Sequence, residues 1–148
     1  MEENIHALAY AIRESGIRVT VGKLPRLTTD RTSIEQIIGN LLSNAIKYID
    51  SGRPGVIHIH AVEKPDEGRI VLRVEDNGRG IAPEEIGKIF ILFQRAGRQD
   101  TEGEGMGLAY VRALARGLGG WISCESTPGV GTTFSVTLPT TPPAPPNL

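Results

Sequence analysis

From Ser33 to Ile49 the apolar residues Ile34, Ile37, Ile38, Leu41, Leu42, Ala45, Ile46 and Ile49 recur at intervals of three and four. This spacing predicts one long helix with a wide apolar face, and such a face demands a second layer to cover it. Asp30 or Thr32 stands where an N-cap is needed, and Ser51-Gly52-Arg53-Pro54-Gly55 is a dense turn signal that ends the element. The covering layer is written in β-type runs. Ile17 to Val21 alternates like a half-buried strand, after a short helical pattern in residues 3 to 15. Val56 to Val62 and Arg69 to Glu75 are joined through Lys64-Pro65-Asp66-Glu67-Gly68, which suits an antiparallel hairpin. Trp121 to Ser126 and Thr132 to Leu138 predict a closing hairpin around Pro128-Gly129-Val130-Gly131. Between the hairpins, Met106 to Leu118 has helical spacing and stops at Gly119-Gly120. No internal repeat is present.

With 148 residues, 39% of them hydrophobic and 22% charged, the chain fits one globular α/β domain. A formal net charge of -1 offers no long-range attraction for nucleic acid or acidic lipid. No apolar run approaches the roughly 18 to 20 residues of a membrane span, and Met1-Glu2-Glu3-Asn4 lacks the profile of a secretory signal. The single Cys124 cannot close an internal disulfide. The expectation is a soluble cytoplasmic domain over residues 1–139, without direct membrane contact. The tail, residues 140–148, carries four of the ten prolines and is expected to be disordered.

Three segments carry candidate chemistry. At about 100° per residue, Asn40, Asn44 and Lys47 fall on one narrow stripe of the long helix, with Tyr48 beside it. A solvated flank is the plain explanation, but asparagine is a mediocre helix former, so two mid-helix copies suggest a use. Amide oxygens can ligate Mg²⁺ and an ammonium can meet phosphate oxygens. Asp76-Asn77-Gly78-Arg79-Gly80-Ile81 follows a strand, where a carboxylate can accept from an exocyclic amine such as that of adenine. Gly103-Glu104-Gly105-Met106-Gly107-Leu108 opens a helix, so free N–H groups and the helix dipole favour an anion. It is neither a Walker-type loop nor a dinucleotide fingerprint. Residues 76 to 104, interrupted by the apolar cluster Ile89 to Phe93, predict a long functional loop with a short helical middle. His58 and His60 share a strand face but are read as an ordinary pair without a nearby carboxylate, and no metal is assigned to them. Cys124 is read as a small buried apolar residue.

In order, Asn40-Leu-Leu-Ser-Asn44-Ala-Ile-Lys47-Tyr48, Asp76-Asn-Gly78-Arg-Gly80-Ile81, Ile89-Phe90-Ile-Leu-Phe93-Gln-Arg95 and Gly103-Glu-Gly105-Met106-Gly107-Leu108 resemble the N, G1, F and G2 boxes of sensor histidine kinases. The closing segment, Leu118 to Pro139, is also similar to that family's last hairpin, and the likeness covers about Ile17 to Pro139. The resemblance implies the two-layer α/β sandwich of the Bergerat type, in the α+β class. Its sheet would be mixed and mostly antiparallel, with about five strands covered on one face by about three helices.

Carried over by position, the resemblance implies ATP and Mg²⁺ as ligands. Asn44 would hold Mg²⁺ with Asn40 beside it, Lys47 would meet the phosphates, Tyr48 would pack near the base, and Asp76 would hold the adenine amine. Gly78, Gly80, Gly103, Gly105 and Gly107 would let backbone and lid close on the nucleotide, which Ile81, Met106, Leu108 and Thr133 would also touch. Arg95 would stabilise charge on the γ-phosphate, while Phe90 and Phe93 anchor the lid, Phe93 lying against the nucleotide as well.

Asn40 separates reaction classes. The related ATPases carry a glutamate there to activate water, and an amide cannot take that proton, so transfer to a protein side chain is expected with little hydrolysis. The implied partners are a homodimeric helical domain bearing the acceptor histidine and, downstream, a response regulator. The acceptor motif itself is not found: His6 lies in Ile5-His6-Ala7-Leu8, which does not match, and only about 16 residues precede the first strand. The chain is expected to be a fragment of a longer kinase or to act in trans. A stand-alone serine kinase of the anti-sigma-factor type and a module that binds nucleotide or a partner without catalysis are the alternative readings.

Overall fold

The computed structural model describes residues 10, 12–14, 16–24, 30–90 and 107–140. Five strands, β1 (Arg18–Val21), β2 (Val56–Lys64), β3 (Arg69–Asp76), β4 (Trp121–Thr127) and β5 (Gly131–Pro139), form one sheet in the order β1-β2-β3-β5-β4. Only β1 and β2 run parallel, so the sheet is mixed and mostly antiparallel. The crossover between these two strands is the long helix α1 (Arg31–Lys47), as a parallel pair requires. A short helix α2 (Pro83–Ile86) and helix α3 (Gly107–Gly117) lie between β3 and β4.

Local chemistry sets the limits of α1. Asp30 is the N-cap: its carboxylate accepts from the Thr32 N–H at 3.1 Å and from the Ser33 hydroxyl at 2.9 Å. The helix ends at Lys47, two residues before the expected Ile49, because Tyr48 takes up C-cap geometry. Ile49 nonetheless packs against the core. In the β2–β3 hairpin, Pro65–Glu67 forms a 3₁₀ turn and Gly68 closes it in the left-handed region at φ 65°, so β2 runs on to Lys64 rather than stopping at Val62.

Strand alternation places the core on one side. Ile57 and Ile59 of β2, Ile70, Leu72 and Val74 of β3, and Phe134, Val136 and Leu138 of β5 turn to the same face. There they meet Ile37, Leu41 and Ala45 of α1 and Leu108, Val111 and Ala115 of α3. Fully burying each large aliphatic side chain contributes about 1.5–3 kcal/mol, so this seam holds the two layers together. The opposite face, helix-free in that no helix among the described residues packs its core side there, carries Arg18, Thr20, His58, His60, Arg73, Glu75, Thr133 and Ser135. Trp121, at its margin, is partly exposed beneath the stacked guanidinium of Arg69. No helix among the described residues is long and apolar enough to cross a membrane.

Candidate functional site

The C-terminal turn of α1 abuts the loop that follows β3. Ala45, fully buried, lets the helix lie close to the sheet, and the Arg79 N–H donates to the Tyr48 carbonyl at 2.9 Å. A Cβ on Gly78 would sit 2.3 Å from that same carbonyl oxygen, so only glycine permits the approach. Lys47 Nζ is buried and lies 5.5 Å from the centre of the Tyr48 ring, while the Arg79 guanidinium stacks on the ring at 4.8 Å. Lys47, Tyr48 and the Asp76 loop are therefore brought together.

Asp76 ends β3 on the core side, where burial pushes its carboxyl above the ordinary carboxylate range. Hydrogen bonds from the backbone N–H groups of Gly78, at 2.9 Å, and of Thr132 oppose that rise in part. Beyond it, Gly80 takes φ +78°, and a Cβ there would lie 2.4 Å from the Thr127 carbonyl oxygen. Ile81, buried, donates its N–H to the Ser126 hydroxyl at 2.7 Å. Ser126 donates to the Gly131 carbonyl at 2.9 Å, and its oxygen lies 2.8 Å from the Thr132 hydroxyl. The carboxylate is thus held in a loop fastened to both the helix and the last hairpin.

Asn40 lies one turn before Asn44. Its side-chain N–H₂ donates to the Gln36 carbonyl at 2.7 Å, and its oxygen would stand 3.2 Å from a Cβ on Gly107. The start of α3 therefore lies over Asn40, with Leu108 buried beneath, and Tyr110 on the same helix donates its hydroxyl to Gln36 Oε1 at 2.6 Å. Phe90 packs edge-on against Phe134 at 6.2 Å between ring centres, which ties the last described residue before position 91 to the core. Of the loop expected between residues 76 and 104, the described part holds a short helix at Pro83–Ile86, and residues 91–104 lie outside the described residues. Phe93, Arg95, Gly103, Gly105 and Met106 lie outside the described residues.

The register separates two neighbouring threonines. Thr133 pairs opposite Glu75 and Glu125 on the helix-free face, whereas Thr132 is buried opposite Asp76. Thr132 and Ser126, neither singled out in the sequence, are the hydroxyl-bearing residues that adjoin the Asp76 loop. The signal for the burial of Thr132 was available: Thr132 shares parity with Phe134, Val136 and Leu138. Two expectations change. His60 has a carboxylate near it after all, Glu75 Oε1 at 3.3 Å. The imidazoles of His58 and His60 stack 4.8 Å apart, and His58 meets the Thr20 hydroxyl at 2.7 Å, all on the face away from the site. Among the described residues no three His, Cys, Asp or Glu side chains gather to hold a metal ion. Cys124 is half-buried rather than fully buried. Burial, with the charges of Asp76 and Glu125, pushes its thiol up to about 12, which leaves no thiolate for chemistry at neutral pH.

The residues present fit a purine nucleotide with a hard divalent cation. A partly desolvated carboxylate ends β3, glycines let its loop pack directly on the helix end and the last hairpin, and amide oxygens with a buried ammonium border the helix. The family model for histidine kinase-, DNA gyrase B- and HSP90-like ATPases matches residues 29–142. Among curated proteins, the chain is 37% identical over 133 residues to the phytochrome-like protein Cph1 of Synechocystis, covering 89% of this chain and 17% of that protein. It is 39% identical over 128 residues to the alginate biosynthesis sensor protein KinB of Pseudomonas aeruginosa, covering 86% and 21%. The chain thus spans only about a fifth of the length of these relatives. Among solved structures, full-length ShkA in complex with AMPPNP superposes with a TM-score of 0.78 at 27% identity, over 97% of this chain and 30% of that one. The mycobacterial sensor histidine kinase MprB gives 0.74 at 28% identity, over 95% of both chains. With the family model spanning both the α1 stripe and the Asp76 loop, the chain belongs to the histidine kinase-, DNA gyrase B- and HSP90-like ATPases, on the histidine kinase branch.

Proposed function

We propose that this domain binds Mg-ATP and donates its γ-phosphate to a histidine on a separate helical dimerisation domain, within a sensor kinase whose phosphoryl group passes on to a response regulator. The observation that carries this reading is the convergence of the Asn40 to Tyr48 stripe with the Asp76 loop, beneath the start of α3. Asp76 accepts from the adenine amine, with Thr132 and Ser126 shaping the floor, and Tyr48 packs beside the base. Lys47 meets the phosphates, and Arg95 is assigned the charge that develops on the transferring group. Asn44 would hold Mg²⁺, which when bound neutralises phosphate charge. Gly103, Gly105 and Gly107 close the backbone over the phosphates.

Asn40 favours transfer over hydrolysis. Its amide nitrogen is engaged by the Gln36 carbonyl, and its oxygen has no basicity with which to activate water. The acceptor ring nitrogen attacks the γ-phosphorus while the bond to the ADP oxygen breaks, so the domain supplies positioning and charge rather than a base. The test mixes the purified domain, radiolabelled ATP and a separately made acceptor-helix domain from a kinase of this class. Label on the acceptor histidine is expected, lost with Asn44→Ala, and free phosphate should form slowly. Rapid ATP hydrolysis that Asn40→Ala abolishes would contradict the assignment. Nucleotide binding without transfer to any acceptor would favour a binding module.

A further inference from the structure

Arg53 sits in the turn between α1 and β2, outside every motif considered above. Its guanidinium donates to four backbone carbonyls: Nε to Asn77 at 2.8 Å, Nη2 to Gly78 at 2.7 Å and to Val130 at 3.2 Å, and Nη1 to Gly129 at 2.9 Å. Two of these acceptors belong to the loop that follows Asp76, and two to the β4–β5 turn. The carboxylate of Asp50 stands off at 3.9 Å. A planar fork with five donors can span two loops in this way; an ammonium cannot.

Other contacts converge on the same junction. Asn77 accepts the Val56 N–H on Oδ1 at 2.7 Å and donates Nδ2 to the Pro54 carbonyl at 2.9 Å, so the loop is stitched to the residues flanking Arg53. The Gly129 N–H donates to the Arg79 carbonyl at 2.8 Å, which joins the Asp76 loop to the β4–β5 turn a second time. A Cβ on Gly131 would stand 2.0 Å from the Asp76 carbonyl oxygen, so the two segments run in direct backbone contact at the carboxylate itself. Arg53 closes this junction from the solvent side, with about a third of its side chain exposed.

We infer that Arg53 is a positioning residue for base recognition: it fixes the Asp76 loop against the last hairpin, and thereby sets the direction in which the Asp76 carboxylate faces the purine amine. This rests on the reading of Asp76 as the base acceptor. It assigns Arg53 no contact with phosphates and no part in transfer. Arg53 thus governs how well adenine is distinguished from a purine that lacks the 6-amino group.

The test compares wild type with Arg53→Ala and Arg53→Lys in two measurements. In the first, affinities for ATP and for ITP, which carries a carbonyl where ATP has the amine, are measured by titration calorimetry. ATP binding is expected to weaken about tenfold in both variants, on the scale of one charge-assisted hydrogen bond, with ITP affected far less, so that the preference for ATP collapses. A role confined to holding the fold together would lower both affinities alike and lower the unfolding temperature with them. In the second, hydrogen exchange at the Gly78 amide, which donates to Asp76, reports the loop without any nucleotide. Faster exchange there in Arg53→Lys is expected. Unchanged exchange at Gly78, or an unchanged ATP-to-ITP ratio in folded variants of a wild type that prefers ATP, overturns the inference. A wild-type domain that binds ATP and ITP equally refutes the role of Asp76 instead, and the exchange measurement then decides that of Arg53.

Discussion

Asp76→Asn is expected to weaken ATP binding by about a hundredfold while leaving the domain folded. The ionised carboxylate is a charged acceptor for an amine donor, worth more than a neutral partner, and an amide flipped to present its N–H₂ would set donor against donor. The fold survives because an asparagine oxygen can still receive the N–H groups of Gly78 and Thr132. The pH dependence follows from the same burial. Since the folded-state pKa of Asp76 is raised, the protonated form stabilises the nucleotide-free domain at acid pH. That contribution disappears as pH rises through the raised pKa. Nucleotide binding runs the other way, because the ionised form is the stronger acceptor for the amine and carries no competing O–H donor. Acidifying the wild type should therefore cost ATP affinity starting above the ordinary carboxylate range, and that component should vanish in Asp76→Asn. Calorimetric titrations of both proteins across the acid range check this. An asparagine variant of undiminished affinity would place the base elsewhere.

Phe134→Ala should lower stability by about 3–5 kcal/mol, a large share of the roughly 5–15 kcal/mol that holds a domain of this size folded. Phe134 is fully buried and heads the largest such side chains among the described residues. It lies opposite Val74 on one side and Cys124 on the other, with the Phe90 ring edge-on above it. Removing the ring leaves a cavity whose walls belong to two strands and cannot both collapse. A fall in melting temperature of roughly 10–20 °C is expected, together with weaker nucleotide binding, since Thr132 is two residues along the same strand. Urea unfolding measures it; a loss below about 1 kcal/mol would mean the site can repack.

The helix α1 was legible because eight apolar residues at three-and-four spacing admit one structure, and both hairpins because turn residues bracket alternating runs. The α1 stripe and the Asp76 loop were legible too, since each residue type had a chemical use at its spacing. Strand order was not. Periodicity fixes which face a residue takes but not which strand lies beside it; β5 enters the sheet between β3 and β4, with Phe134, Val136 and Leu138 opposite Val74, Leu72 and Ile70. Thr132 was not legible as a neighbour of Asp76, because that contact depends on the register of β5 against β3. Arg53 gave no sign at all: a turn such as Ser-Gly-Arg-Pro-Gly places an arginine at the surface by default, and its acceptors lie 24 to 77 residues away.

The position of β5 also bears on the order in which the molecule is made. The last strand of the sheet to leave the ribosome is not an edge strand; it is inserted between two that have already been synthesised. Until it arrives, Ile70, Leu72 and Val74 lack their neighbours, and Asp76 lacks the Thr132 N–H. A nascent chain that already displays Asn44, Lys47 and Asp76 therefore lacks the hairpin on which the Asp76 loop is fastened, and the proposed purine site is complete only once β5 has been made.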